Sequence, residues 1–210
     1  MRLADRTLPD ALFASYRPVL VAGYGTPVGC HDIGHALRVA RWANRLSGEA
    51  GADARLCVLA ALFHDIGYDS GPGRADHELR SAAAVRVALR DLPDADVATV
   101  AEAVASRRFS KLTEPKSPVG MVLDDADNLD ALGYVGVARA FLWLGEHRPD
   151  PDGPPRDAVA DGLAKHVEEK LGRLADLMHT DAAREIAVRR TATVTAFVEG
   201  LREETGDDAG

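Results

Sequence analysis

The chain has 210 residues, 46% of them hydrophobic, enough for one domain with a sizeable core. Its formal net charge of −8 is the wrong sign for general nucleic-acid binding and repels anionic membranes, so neither partner is expected. The opening MRLADRTLPD has no apolar signal core, and no run approaches the roughly 18 apolar residues of a membrane span. The two cysteines, Cys30 and Cys57, read as reduced thiols, and a cytoplasmic location is the expectation.

Aromatic residues make up only 5%, so Ala, Leu and Val must build the core, which suits helix-on-helix packing. A short helix is expected near Ala11–Tyr16. Thr26-Pro27 reads as a cap and first-turn proline, followed by Ile33, Leu37, Ala40, Ala43 and Leu46 at helical spacing up to Gly48. Asp53 caps the next helix, with Leu56, Leu59, Leu62 and Phe63 apolar and Gly67 placed as a left-handed C-cap. Asp76 is placed to cap a helix reaching Leu92. After Pro93-Asp94, Val97, Val100, Ala101 and Val104 continue the period. Ser117-Pro118 opens a helix through Leu129, and Gly133 and Gly136 mark a break or close packing before 137–144. The proline-rich 146–157 is a loop, and two helices follow at about 157–179 and 181–204. The expected architecture is one all-α domain over 1–210, with the last helical pair packed on it.

His64-Asp65 ends the apolar run LAALFHDIG. An ionisable pair at the inner end of a core helix needs compensation by hydrogen bonds, charge or a metal. An imidazole nitrogen beside a carboxylate oxygen is half of a divalent-cation site. Adjacent helical residues diverge by about 100°, so both reach one ion only near the axis or at a helix terminus. The competing reading is a protonated His64 at the helix C-terminus beside a solvated Asp65.

Upstream, His31 and His35 in HDIGH stand i, i+4 and could share a metal on a helix. The string departs from the zinc-protease HExxH by having Asp32 for Glu, and no third protease-type ligand follows. Arg38, one turn after His35, could hold a phosphate near such an ion or be an ordinary surface charge. Downstream, DDADNLDA places four acids in seven positions of an apolar helix; Asp124 reads as solvated and Asp127 does not.

Taken in order, His35, His64-Asp65 and Asp127 form an H…HD…D series. With the flanking words HALRVARWA, VLAALFHDIGY, HELRSAA and DADNLDALGYVGVAR, the chain resembles the HD-domain metal-dependent phosphohydrolases, over about 29–145. The resemblance implies an all-α fold in which His35, His64, Asp65 and Asp127 bind one divalent ion (Mn²⁺, Fe²⁺, Co²⁺, Ni²⁺ or Mg²⁺). It makes His35 the first ligand, by its Arg-Val register, and His31-Asp32 a decoy. Asp65 is then the residue to hold an attacking water. The implied substrate is a small phosphoester such as a nucleotide. Arg38, with Arg107 and Lys111 from a basic cluster that includes Arg108 and Lys116, is placed to receive it. Tyr68 and Asp69 are expected to line the pocket.

His77 matches a further histidine of two-metal relatives, but Arg107 stands where they carry another, which favours a single ion and disfavours a di-iron oxygenase. A non-catalytic metal or nucleotide sensor is the reading from another class. The HD doublet is not followed by a GYP motif, so a cyclic-dinucleotide phosphodiesterase of that subtype is not expected. Without a synthetase or nucleotidyltransferase companion in this sequence, an alarmone-cycling enzyme is not expected either. A homo-oligomer is compatible with all of this.

Overall fold

The computed structural model describes residues 6–25, 29–68, 76–106, 115–146 and 160–205. Among them every regular element is a helix, as the composition predicts, and none is long and apolar enough to cross a membrane. They divide into two compact units, Met1–Asp127 and Asn128–Gly210.

The first unit is built around α3 (Ala54–Phe63), whose residues Cys57–Phe63 are all buried. Asp53 caps it as expected, its carboxylate accepting from the amides of Arg55 and Leu56. Against α3 pack α1 (Leu8–Tyr24), α2 (Ile33–Leu46) and α5 (Asp94–Ser106), and α4 (His77–Ala88) packs mainly along α5. The first helix is far longer than the expected 11–16. Pro9 sits harmlessly in its first turn, Pro18 is accommodated inside it, and its C-terminal Tyr24 hydroxyl donates to the Leu62 carbonyl at 2.9 Å. Tertiary contact therefore carries α1 past the point where sequence pattern alone ends it. Helix α6 (Pro118–Asp130) starts where Ser117-Pro118 predicts, with Ser117 Oγ accepting from the Gly120 amide.

Three local expectations are overturned near the ends of α2, α3 and α4. Helix α2 begins at Ile33, because Asp32 is its N-cap and accepts from the His35 amide at 2.7 Å; Thr26-Pro27 lies outside the described residues. Gly67 does not take a left-handed conformation. Its importance is steric: a methyl group there would lie 2.6 Å from the Ser81 amide nitrogen of α4. Asp76 occupies the N-cap position of α4 in a left-handed conformation without a side-chain capping bond, and α4 stops at Ala88 rather than Leu92.

The second unit contains α7 (Gly133–Glu146), α8 (Ala160–Glu169), a 3₁₀ helix (Leu171–Leu177) and α9 (Asp181–Thr205). Helix α9 packs on the other three. Gly133 opens α7 at φ +72°, the break that its sequence position predicts. The single helix expected over 157–179 instead interrupts at Lys170 and tightens to 3₁₀. The apolar stripe survives the change, since Leu163, Val167, Leu171, Leu174 and Met178 are all buried. Both cysteines are free and buried, and burial, aided by the Asp53 charge, pushes the Cys57 thiol up to about 12.

The contact of Gly67 with α4 yields a stability prediction. Gly67→Ala is expected to cost about 1–3 kcal/mol or more by overpacking, read as a lower urea midpoint. Gly48→Ala, whose added methyl meets open space, should leave the midpoint nearly unchanged.

Candidate metal centre

Four donor side chains converge where α2, α3 and α6 meet. His35 lies in the first turn of α2, and Asp127 in the last turn of α6. His64 is the C-cap of α3, and Asp65 lies in the turn that follows. Leaving the helix at His64 lets two adjacent residues aim at one point. His35 Nε2 lies 3.1 Å from His64 Nε2, 3.1 Å from Asp127 Oδ1 and 3.6 Å from Asp65 Oδ2. His64 Nε2 lies 3.1 Å from Asp65 Oδ2 and 3.7 Å from Asp127 Oδ1. Donors bound at about 2.0–2.2 Å to one ion are separated by roughly 3–3.5 Å, so these spacings suit a shared cation.

The proton positions agree with that use. His64 Nδ1 is 2.7 Å from the Ala61 carbonyl, which can only accept, so Nδ1 carries the hydrogen and Nε2 presents its lone pair to the cluster. Asp65 is 1% exposed, which removes the competing reading of a solvated acid beside a helix-terminal histidine. Two imidazoles and two carboxylates are a mixed nitrogen–oxygen set able to hold a divalent ion without selecting one strongly.

The turn that carries Asp65 is held from α4. The Gly67 amide donates to Ser81 Oγ at 2.9 Å, and Arg80 Nε donates to the Gly67 carbonyl at 3.0 Å. Arg80 Nη2 also reaches the Tyr68 carbonyl at 3.4 Å. His77, at the start of α4, lies 3.7 Å from Asp65 Oδ1 through Nε2 and 3.4 Å from the buried Glu78 carboxylate through Nδ1. Asp124 is half-buried, whereas Asp125 is fully buried and Asp130 pairs with Arg139 at 3.3 Å in the second unit. Arg38 is half-buried on α2; a methyl group at Gly34 would meet both its Nη1 and the capping Asp32 carboxylate. Arg107, Lys111, Arg108 and Asp69 lie outside the described residues.

His31 is the residue that the sequence reading set aside and the structure brings in. Its Nδ1 lies 2.5 Å from Asp65 Oδ2, so His31, His35 and Asp65 form a second group of converging donors. The ring stacks on Tyr68 at 4.0 Å. Its neighbour Asp32 carried the available signal: an Asp directly before an apolar helical period is an N-cap, which puts His31 outside the helix and cancels its i, i+4 relation to His35.

The HD-domain family model matches residues 32–132, a span that contains all four converging donors. The uncharacterized protein YpgQ of Bacillus subtilis is 33% identical over 187 residues, covering 83% of this chain and 84% of YpgQ. The chain belongs to the HD-domain family. A crystal structure of YpgQ in complex with ADP superposes on this HD protein with a TM-score of 0.69 at 29% identity, covering 90% of this chain and 97% of that one. A Lactobacillus plantarum protein gives a TM-score of 0.74 at 28% identity, over 95% and 99% of the two chains. A Bacillus thuringiensis protein described as an HD-superfamily hydrolase gives 0.66 at 27%, over 95% and 99%.

Removing either imidazole leaves too few donors for tight binding. In titration calorimetry with Mn²⁺, His35→Ala and His64→Ala are each expected to abolish high-affinity binding, with helicity by circular dichroism retained. Asp124→Ala should bind as the unaltered chain does.

Proposed function

We propose that this HD protein is a metal-dependent phosphohydrolase that cleaves a small phosphoester such as a nucleotide. The observation that carries the reading is the convergence of buried His35, His64 and Asp65 with half-buried Asp127, with the His64 tautomer set by Ala61. It is supported by the Bacillus thuringiensis relative described as an HD-superfamily hydrolase and by the ADP bound to YpgQ.

In this reading the four side chains hold one divalent ion, which supplies Lewis acidity toward phosphoryl oxygens and makes a water easier to deprotonate. The chain's own residues do the rest. Asp65 accepts a hydrogen bond from the attacking water and orients it. Hydrolysis forms a new P–O bond from that water and breaks the bond to the leaving oxygen, which takes up a proton. Arg38, Arg107 and Lys111 bind the phosphate. Their local positive charge is needed in a chain of net charge −8, which otherwise repels an anionic substrate.

The test is a panel of nucleoside mono-, di- and triphosphates and p-nitrophenyl phosphate esters, assayed with Mn²⁺, Co²⁺, Ni²⁺ and Mg²⁺. At least one pairing should turn over, and Asp65→Ala should lower kcat/KM by about 100-fold or more, the upper end of what loss of even an outer-shell partner costs. Tight cation and nucleotide binding with no turnover across the panel would instead make the chain a sensor.

A further inference from the structure

We propose that His31 is the positioning residue for Asp65, and that the adjacent pair His31-Asp32 acts as one device setting two of the four donors. The inference rests on the reading of the cluster as a cation site. Asp32 caps α2 and so fixes the first turn, from which His35 projects. His31, one residue earlier, lies outside the helix with Nδ1 at 2.5 Å from Asp65 Oδ2. A carboxylate oxygen only accepts, so Nδ1 carries the hydrogen and donates it. The oxygen so held is the one that faces His64 Nε2 at 3.1 Å and His35 Nε2 at 3.6 Å.

The donor is itself restrained. The His31 ring lies nearly parallel to Tyr68, 4.0 Å between centroids and 20° between planes, and Tyr68 packs edge-on against His77. The Tyr68 amide donates to the Asp65 carbonyl at 2.9 Å, and Arg80 holds the carbonyls of Gly67 and Tyr68. The segment before α2 is thereby tied to the turn after α3 through one ring. Asp65 has a short side chain on a turn rather than on a helix, so its carboxylate depends on such a tie for its direction. Hydrogen-bonded partners of ligating groups typically contribute 10–100-fold in metal affinity.

The test is titration of the full chain with Mn²⁺ for the unaltered protein, His31→Ala and His31→Asn. The asparagine amide nitrogen can occupy the place of Nδ1 and still donate. His31→Ala should weaken Mn²⁺ binding about 10–100-fold with the stoichiometry unchanged, and His31→Asn should recover most of the loss. Helicity by circular dichroism in excess chelator should be the same for all three, which separates positioning from a general loss of structure. Unchanged affinity in His31→Ala, or no recovery in His31→Asn, would overturn the proposal. So would a fall in stoichiometry, which would make His31 a ligand rather than a positioning residue. If the unaltered chain binds no Mn²⁺, the cation-site reading fails first, and that result is distinct from each of these.

Discussion

Asp65 is a carboxylate held almost entirely away from water in the turn after α3, the most apolar of the described helices, and the surrounding structure answers to that fact. An isolated buried carboxylate is strongly unfavourable unless charge and hydrogen bonds replace its lost hydration. Here His31 Nδ1 donates one such bond at 2.5 Å, and His64 Nε2 at 3.1 Å and His35 Nε2 at 3.6 Å face the same oxygen, where a shared cation would supply the balancing charge. Each imidazole then needs its own fixed orientation. The Ala61 carbonyl sets His64, and the Asp32 cap sets the turn that carries His35.

The same constraint explains why the turn after α3 is gripped so firmly. A turn free to reorient would swing Asp65 out of the cluster. Arg80 and Ser81 hold the backbone of Gly67 and Tyr68 from α4, and the absence of a side chain at Gly67 permits the approach. These bonds lie one layer away from the donors, yet they decide where the donors point. The doublet is thus a product of four segments, the N-terminal turn of α2, the end of α3, the start of α4 and the end of α6.

Relatives of this chain differ from it at roughly seven positions in ten, yet the fold is shared over nearly the full length of each. An arrangement of helices around an apolar helix tolerates such exchange, because volume-conserving substitution costs little. Function has to be argued from the site rather than from the fold. The site's donor types and spacings suit a divalent ion.

The all-α class, the helix from Asp53, the start of α6 at Ser117-Pro118 and the break at Gly133 were legible in the sequence. Periodicity and capping are local properties that neighbouring residues set among themselves. The ordered series His35, His64-Asp65, Asp127 was legible too, because donor chemistry resides in residue type and the flanking words placed it. Tertiary structure decided what local pattern could not. It extended α1 through Pro18 by packing on α2 and α3, and made Gly67 a point of contact with α4 rather than a cap. It also kept the stripe of Leu163 to Met178 buried while changing the helix that carries it. Above all it turned His31 from a decoy into a partner of Asp65, 34 positions away. A hydrogen bond depends on the distance between atoms in space, and only the packing of α2 against α3 brings those two atoms together.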